Sequence, residues 1–145
     1  MSRTICGARR GFTLIEVLVV VVVIGMLAGL VGPRIIGRVS EARTTTARTQ
    51  VELLGLALDN YRLDNGGYPT TEQGLKALVE LPAVEPVPGK WTQLMEEVPK
   101  DPWNMEFRYV YPAKRSKSEY DVFSLGRDGV ESGDDIGNWK LAQKD

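Results

Sequence analysis

The chain has 145 residues, enough for one modest domain. A formal net charge of -1 gives no basis for nucleic-acid binding, the absence of histidine excludes a His-based triad or His-ligated metal site, and a single cysteine, Cys6, excludes an intrachain disulfide. Apolar residues make up 43% of the chain but crowd toward the N-terminus, so the remainder must fold around a small core.

Residues 1–11 carry Arg3, Arg9 and Arg10 and no acidic side chain. From Val17 to Pro33 no residue is charged, and the apolar block taken from 12 to 36 is broken only by Glu16 and Arg34. A helix needs about 20 apolar residues to cross the hydrocarbon core, so the length predicts a membrane-spanning helix over 12–36. A cleaved secretory signal fits less well, because no Ala-x-Ala site follows the block. Arg34, Arg38, Arg43 and Arg48 balance the arginines before the block, so charge alone does not set its orientation. Glu16 is costly in such surroundings and calls for a partner. Gly25 and Gly29 allow close helix packing, and Gly32-Pro33 marks a weak point that bends a membrane helix without ending it.

Residues 37–64 continue in helical period. Val39 and Ala42 precede a stronger stripe of Val51, Leu54, Leu58 and Tyr61, with charged residues mostly off it. Asp64-Asn65-Gly66-Gly67 ends the helix. Thr70 and Gln73 fit a capping box, and Leu75, Leu78 and Val79 form the inner face of a short helix that stops before Pro82. Five prolines between 82 and 104 predict turns. Phe107 to Tyr111 alternates as a strand, 112–118 is a polar turn, Tyr120 to Ser124 is the antiparallel partner, and Asn138 to Leu141 adds a short third strand.

Between those last segments Asp128, Glu131, Asp134 and Asp135 fall within eight residues. Carboxylates this close must be solvated or neutralised. A hard cation with flexible oxygen coordination, such as calcium, would neutralise them, with glycines turning backbone carbonyls inward. The spacing is not that of an EF-hand, and a solvated Asp-Gly turn remains open.

Several strings carry a resemblance. Gly11-Phe12-Thr13-Leu14-Ile15-Glu16 resembles the class III signal of type IV pilins and pseudopilins. The runs GYPTTEQGL (67–75), VPKDPW (98–103), FSLGRDG (123–129) and DIGNW (135–139) are similar to the major pseudopilins of type II secretion, the general secretion pathway protein G family. Asn104 stands where that family commonly has glycine. The resemblance implies an α+β, type IV pilin-like fold: a long N-terminal helix, spanning and then amphipathic, packed on a small antiparallel sheet with a metal-binding loop. It divides the chain into a leader over 1–11, a polymerisation helix over 12–36 and a periplasmic domain over 37–145, the last made of the amphipathic helix to 64, a short helix and loop over 65–106 and the sheet with its acidic loop over 107–145.

It further implies cleavage by a prepilin peptidase between Gly11 and Phe12, methylation of the Phe12 amine, and pairing of Glu16 with the N-terminus of a neighbouring copy. Calcium would be held by Asp128, Asp134 and Asp135, with carbonyls of Leu125 and Val130. The expected role is a structural subunit, not an enzyme. It would be anchored once in the inner membrane and assembled into a periplasmic filament that helps export folded proteins. Its partners would be further copies, minor pseudopilins, an assembly platform and ATPase, and an outer-membrane secretin. A type IV pilin for adhesion or motility is the alternative, disfavoured because no cysteine follows Cys6. A membrane-anchored enzyme using the aspartates is a remote one, lacking a nucleophile or base.

Overall fold

The structure, a computed structural model, describes residues 12–141, without the side chains of residues 30–37 and Leu141. The chain divides into two compact units, Met1–Val39 and Ser40–Asp145. One helix, α1 (Leu14–Asn65), begins in the first and ends in the second. Thr13 opens it: the Glu16 backbone N–H donates to Thr13 Oγ1 at 3.3 Å, satisfying one of the free donors of the first turn. The helix runs through Pro33 without ending. Gly66 closes it, with φ +79° and its N–H on the Arg62 carbonyl at 2.7 Å. That left-handed position is one a side chain adopts poorly.

In the second unit, α1 buries Ala47, Val51, Leu54, Leu58 and Tyr61, as the 3.6-residue period predicts. Val39 and Ala42, the expected start of the stripe, are exposed instead, because the core cluster begins at Val51. The Thr70–Gln73 box forms reciprocally, Thr70 N–H to Gln73 Oε1 at 2.9 Å and Gln73 N–H to Thr70 Oγ1 at 3.2 Å. It introduces a turn and then a 3-10 helix, Leu75–Leu78, whose buried residues are Leu75, Ala77 and Leu78. Val79 is half-buried, since a three-residue period puts Ala77 inward in its place. The Gln73 amide also donates to the carbonyls of Val84 and Pro86, which pins the proline-rich loop to this turn.

The sheet has three antiparallel strands in the order β1 (Arg108–Val110), β2 (Asp121–Ser124), β3 (Ile136–Gly137). Tyr109 pairs with Val122, and both join the core with Leu54 and Leu58. Phe123 takes the opposite face, where Trp139 lies 5.2 Å away between ring centres.

The third strand falls earlier than the sequence suggested. Asn138–Leu141 is a helical turn, α2, and β3 is the two residues before it. The reason lies in Asn138. Its side-chain Oδ1 accepts the Val122 N–H at 3.2 Å, and its Nδ2 donates to the Tyr120 carbonyl at 2.8 Å. The amide thus satisfies the β2 groups that a longer strand would have paired, and the backbone is free to turn. Trp139 then folds back over Gly137, where an added Cβ would meet the indole ring at 2.5 Å.

Asn104 is explained by its backbone. It sits at φ +68°, the left-handed region where glycine is ordinary and asparagine is the next most tolerated residue. The turn is held by Asp101, whose Oδ1 accepts the N–H groups of Trp103 at 3.0 Å and Met105 at 2.8 Å. Replacement of glycine by asparagine therefore leaves the turn intact.

Candidate functional site

Two regions carry the residues singled out from the sequence. The first is the start of α1. Leader cleavage after Gly11 involves residues outside the described part of the chain. Phe12, on the far side of that bond, is 82% exposed. The described side chains from Phe12 to Gly29 are all exposed, among them Leu14, Ile15, Val21 and Met26. A continuous apolar surface of this size is a surface made to be covered. Among the described residues no helix is long and apolar enough to cross a membrane. From Val17 to Pro33 the uncharged stretch of α1 covers about 25 Å of helix, against a hydrocarbon core of about 30 Å. Glu16 sits in the first turn, where its charge faces the positive end of the helix dipole. Among the described residues its carboxylate makes no ion pair.

The second region is the acidic loop between β2 and β3. Asp128 and Asp134 converge on one hydroxyl: Ser132 Oγ lies 3.4 Å from Asp128 Oδ2 and within hydrogen-bond distance of Asp134 Oδ1. Gly126 and Gly129 have φ of +72° and +71°, and these turns bring Asp134 back against Gly126, its Oδ2 lying 3.6 Å from where a Cβ would stand. Leu125 is buried at the end of β2, and the Val130 side chain is exposed.

Asp135 is placed differently. Its carboxylate is buried, Oδ2 paired with Arg115 Nη1 and Oδ1 accepting the Ser132 N–H at 3.2 Å. Arg115 Nη2 lies 3.6 Å from Glu131, and its guanidinium covers the rings of Phe123 and Trp139 at 5.4 and 5.1 Å. Among the described residues, no three acidic side chains gather closely enough to hold a metal ion. The donors are all hard oxygens and suit calcium in kind. In arrangement two aspartates meet, while the third is committed to an arginine.

Arg115 was not singled out by the sequence, where it lies in a polar turn. The turn is organised by Asp121, also overlooked. Asp121 is buried at the head of β2 and accepts three backbone N–H groups, from Lys114 at 2.6 Å and Arg115 at 2.8 Å on Oδ2 and from Ser116 at 2.8 Å on Oδ1. Burial pushes its carboxyl up, and the hydrogen bonds from Lys114, Ser116 and Arg115 outweigh burial and hold it below the usual carboxylate value. Ser124 ties the loop from the other side, donating to Asp101 Oδ2 at 2.6 Å and accepting the Gly126 N–H at 3.0 Å.

Comparison with known proteins bears on both regions. The family model for type II secretion system (T2SS) protein G matches residues 34–139. The chain belongs to that family. A second model, the prokaryotic N-terminal methylation motif, matches residues 6–32. Among protein G relatives, the type II secretion system core protein G of Pseudomonas aeruginosa is 44% identical over 137 residues, covering 90% of this chain and 95% of its own. That of Vibrio cholerae is 45% identical over 139 residues, covering 92% and 93%. In structure the chain is similar to the major pseudopilin from the type 2 secretion system of enterohaemorrhagic Escherichia coli, with a TM-score of 0.70 at 41% identity over 76% of this chain and 93% of that one. The α+β pseudopilin fold expected from the sequence is the fold observed.

Proposed function

We propose that this protein G family member is the major structural subunit of a type II secretion pseudopilus, polymerising through the N-terminal part of α1 to help export folded proteins across the outer membrane. The observation that carries the reading is the joint match of the chain to a methylation motif over 6–32 and to protein G over 34–139. The exposed apolar start of α1 supports it, since it offers other copies a continuous surface to bury. In this reading a prepilin peptidase cuts between Gly11 and Phe12, and the Phe12 amine is methylated. Before assembly, residues 12–36 anchor the subunit in the inner membrane with residues 37–145 in the periplasm, a placement resting on the uncharged run to Pro33. The role is structural: it is the peptidase and methylating enzyme that act on the chain, while an assembly ATPase, platform and secretin act with it. A type IV pilin for adhesion is disfavoured by the similarity to protein G across most of the chain.

The test is the mass of the chain made in a host with its secretion genes, together with secretion in a deletion strain. The expected mass is that of residues 12–145 plus one methyl group, and deletion should leave exported hydrolases in the periplasm. An intact leader, or unimpaired export with lost adhesion, overturns the reading.

For the acidic loop, the chemistry implied by the family is calcium binding through Asp128, Asp134 and Asp135, with the carbonyls of Leu125 and Val130. A bound calcium ion would offset the repulsion among these carboxylates and cross-link the loop. The convergence of Asp128 and Asp134 at Ser132 supports the reading. Because binding would favour the folded loop, millimolar calcium is expected to raise the melting temperature by several degrees, about 2.7 kcal/mol at a hundredfold excess over Kd. Asp128→Ala should abolish the shift. An equal shift in that variant overturns the assignment.

A further inference from the structure

We propose that Arg115 is a built-in cation for the acidic loop, and that it sets how far the loop depends on a divalent ion. The inference rests on the calcium reading above. Two of the four carboxylates meet at Ser132; the other two, Asp135 and Glu131, face one guanidinium. Asp135 is 1% exposed, so its charge without a partner would be strongly unfavourable.

Arg115 is not a loose surface side chain. Its own N–H is held by Asp121 at 2.8 Å, which fixes the turn it starts from. Its guanidinium lies against both Phe123 and Trp139, a planar contact that a lysine ammonium does not reproduce. Trp139 reaches that position because residue 137 is glycine. Residues from the turn, β2, β3 and α2 therefore converge to hold one positive charge on a buried aspartate.

A cation in this place has two opposing effects. It keeps Asp135 neutralised, and the loop ordered, when no divalent ion is bound. It also weakens attraction for such an ion, because it repels it and occupies one Asp135 oxygen. Calcium then adjusts a loop that is already folded around its own counter-charge.

The experiment uses the full chain in detergent micelles, with calcium affinity measured by titration calorimetry and melting followed in chelator. Arg115→Gln is expected to bind calcium about tenfold more tightly than wild type, since a unit charge beside the site has gone. It should melt lower than wild type in chelator, and saturating calcium should narrow that gap. Arg115→Lys keeps the charge and loses the stacking, so its calcium affinity should stay within about threefold of wild type while its melting point falls.

Unchanged or weaker calcium binding by a folded Arg115→Gln overturns the proposal and leaves the calcium reading standing. No heat and no melting shift in wild type sinks the calcium reading, and this proposal with it. Should Arg115→Gln fail to fold, Arg115→Lys decides alone: an affinity change beyond about threefold in either direction overturns it.

Discussion

Asp121→Ala is expected to lower the unfolding free energy by about 3 kcal/mol and the melting temperature by roughly 10 °C. The side chain is 1% exposed, yet among the described residues it forms no ion pair; three backbone N–H groups point at it and favour its charged form. Hydrogen bonds to a charged acceptor contribute about 1.5–3 kcal/mol each, and they do not add in full because water reaches part of the exposed turn. Removing the carboxylate strands the donors of Lys114, Arg115 and Ser116 together. The turn then loosens, and Arg115 loses its fixed origin beneath Asp135. Asp121→Ala should therefore weaken two places at once, the β1–β2 connection and the acidic loop. Acid should do the same reversibly. The Asp121 carboxyl is held below its usual value in the folded chain, so its contribution is complete above the ordinary aspartate pKa of about 3.9 and is lost as pH falls through the lower folded value. Thermal melts from pH 6 down to pH 2 check this. Wild type should lose stability more steeply than Asp121→Asn in the acid range, and parallel curves would sink the account.

What the sequence revealed and what it hid divide along a physical line. Local period and turn chemistry were legible. Val51, Leu54, Leu58 and Tyr61 recur at the spacing of a helix face and are buried. Gly66 ends that helix for a reason internal to four residues, and Thr70 and Gln73 satisfy each other three residues apart. The charge crowding of the acidic loop was legible too, as a count of carboxylates. Its resolution was not. Arg115 and Asp135 are 20 residues apart, and nothing in either neighbourhood announces the other. Asn138 was read as the first residue of a short strand, Asn138 to Leu141. Its side-chain amide instead substitutes for strand backbone, a role that depends on the register of β2. Asp121 looked like one polar residue in a strand, and its acceptor role needs the preceding turn to curl over it. Long-range polar pairing leaves no period, so resemblance to relatives supplied the aspartates but not the arginine that answers one of them.

Glu16→Ala is expected to abolish filament formation while leader removal continues. The variant is clean because the cap at the start of α1 does not use the carboxylate: Thr13 accepts a hydrogen bond from the Glu16 backbone, which alanine keeps. Helix start and apolar surface should both survive the change. What is lost is a charge surrounded on its own helix by Ile15, Val19 and Val20, which are 70%, 53% and 51% exposed. Covering those residues with other copies removes water from Glu16 as well. A carboxylate so enclosed needs a cation, and the cleavage proposed after Gly11 would create one at the amine of Phe12. Within one helix the two are four residues apart; between copies the same pairing would fix how far each subunit is displaced along the filament. Deleting one partner of a buried pair costs about 3–5 kcal/mol, a loss of roughly two to nearly four orders of magnitude in association at each contact. A polymer repeats the contact at every subunit, so the deficit recurs with each addition. Glu16→Gln keeps the shape without the charge and should also fail; Glu16→Asp, one methylene shorter, should leave sparse filaments. Pelleting and crosslinking of the cleaved chain measure all three. Wild-type polymer yield from Glu16→Gln would mean that shape and hydrogen bonding, rather than charge, set the stagger between subunits.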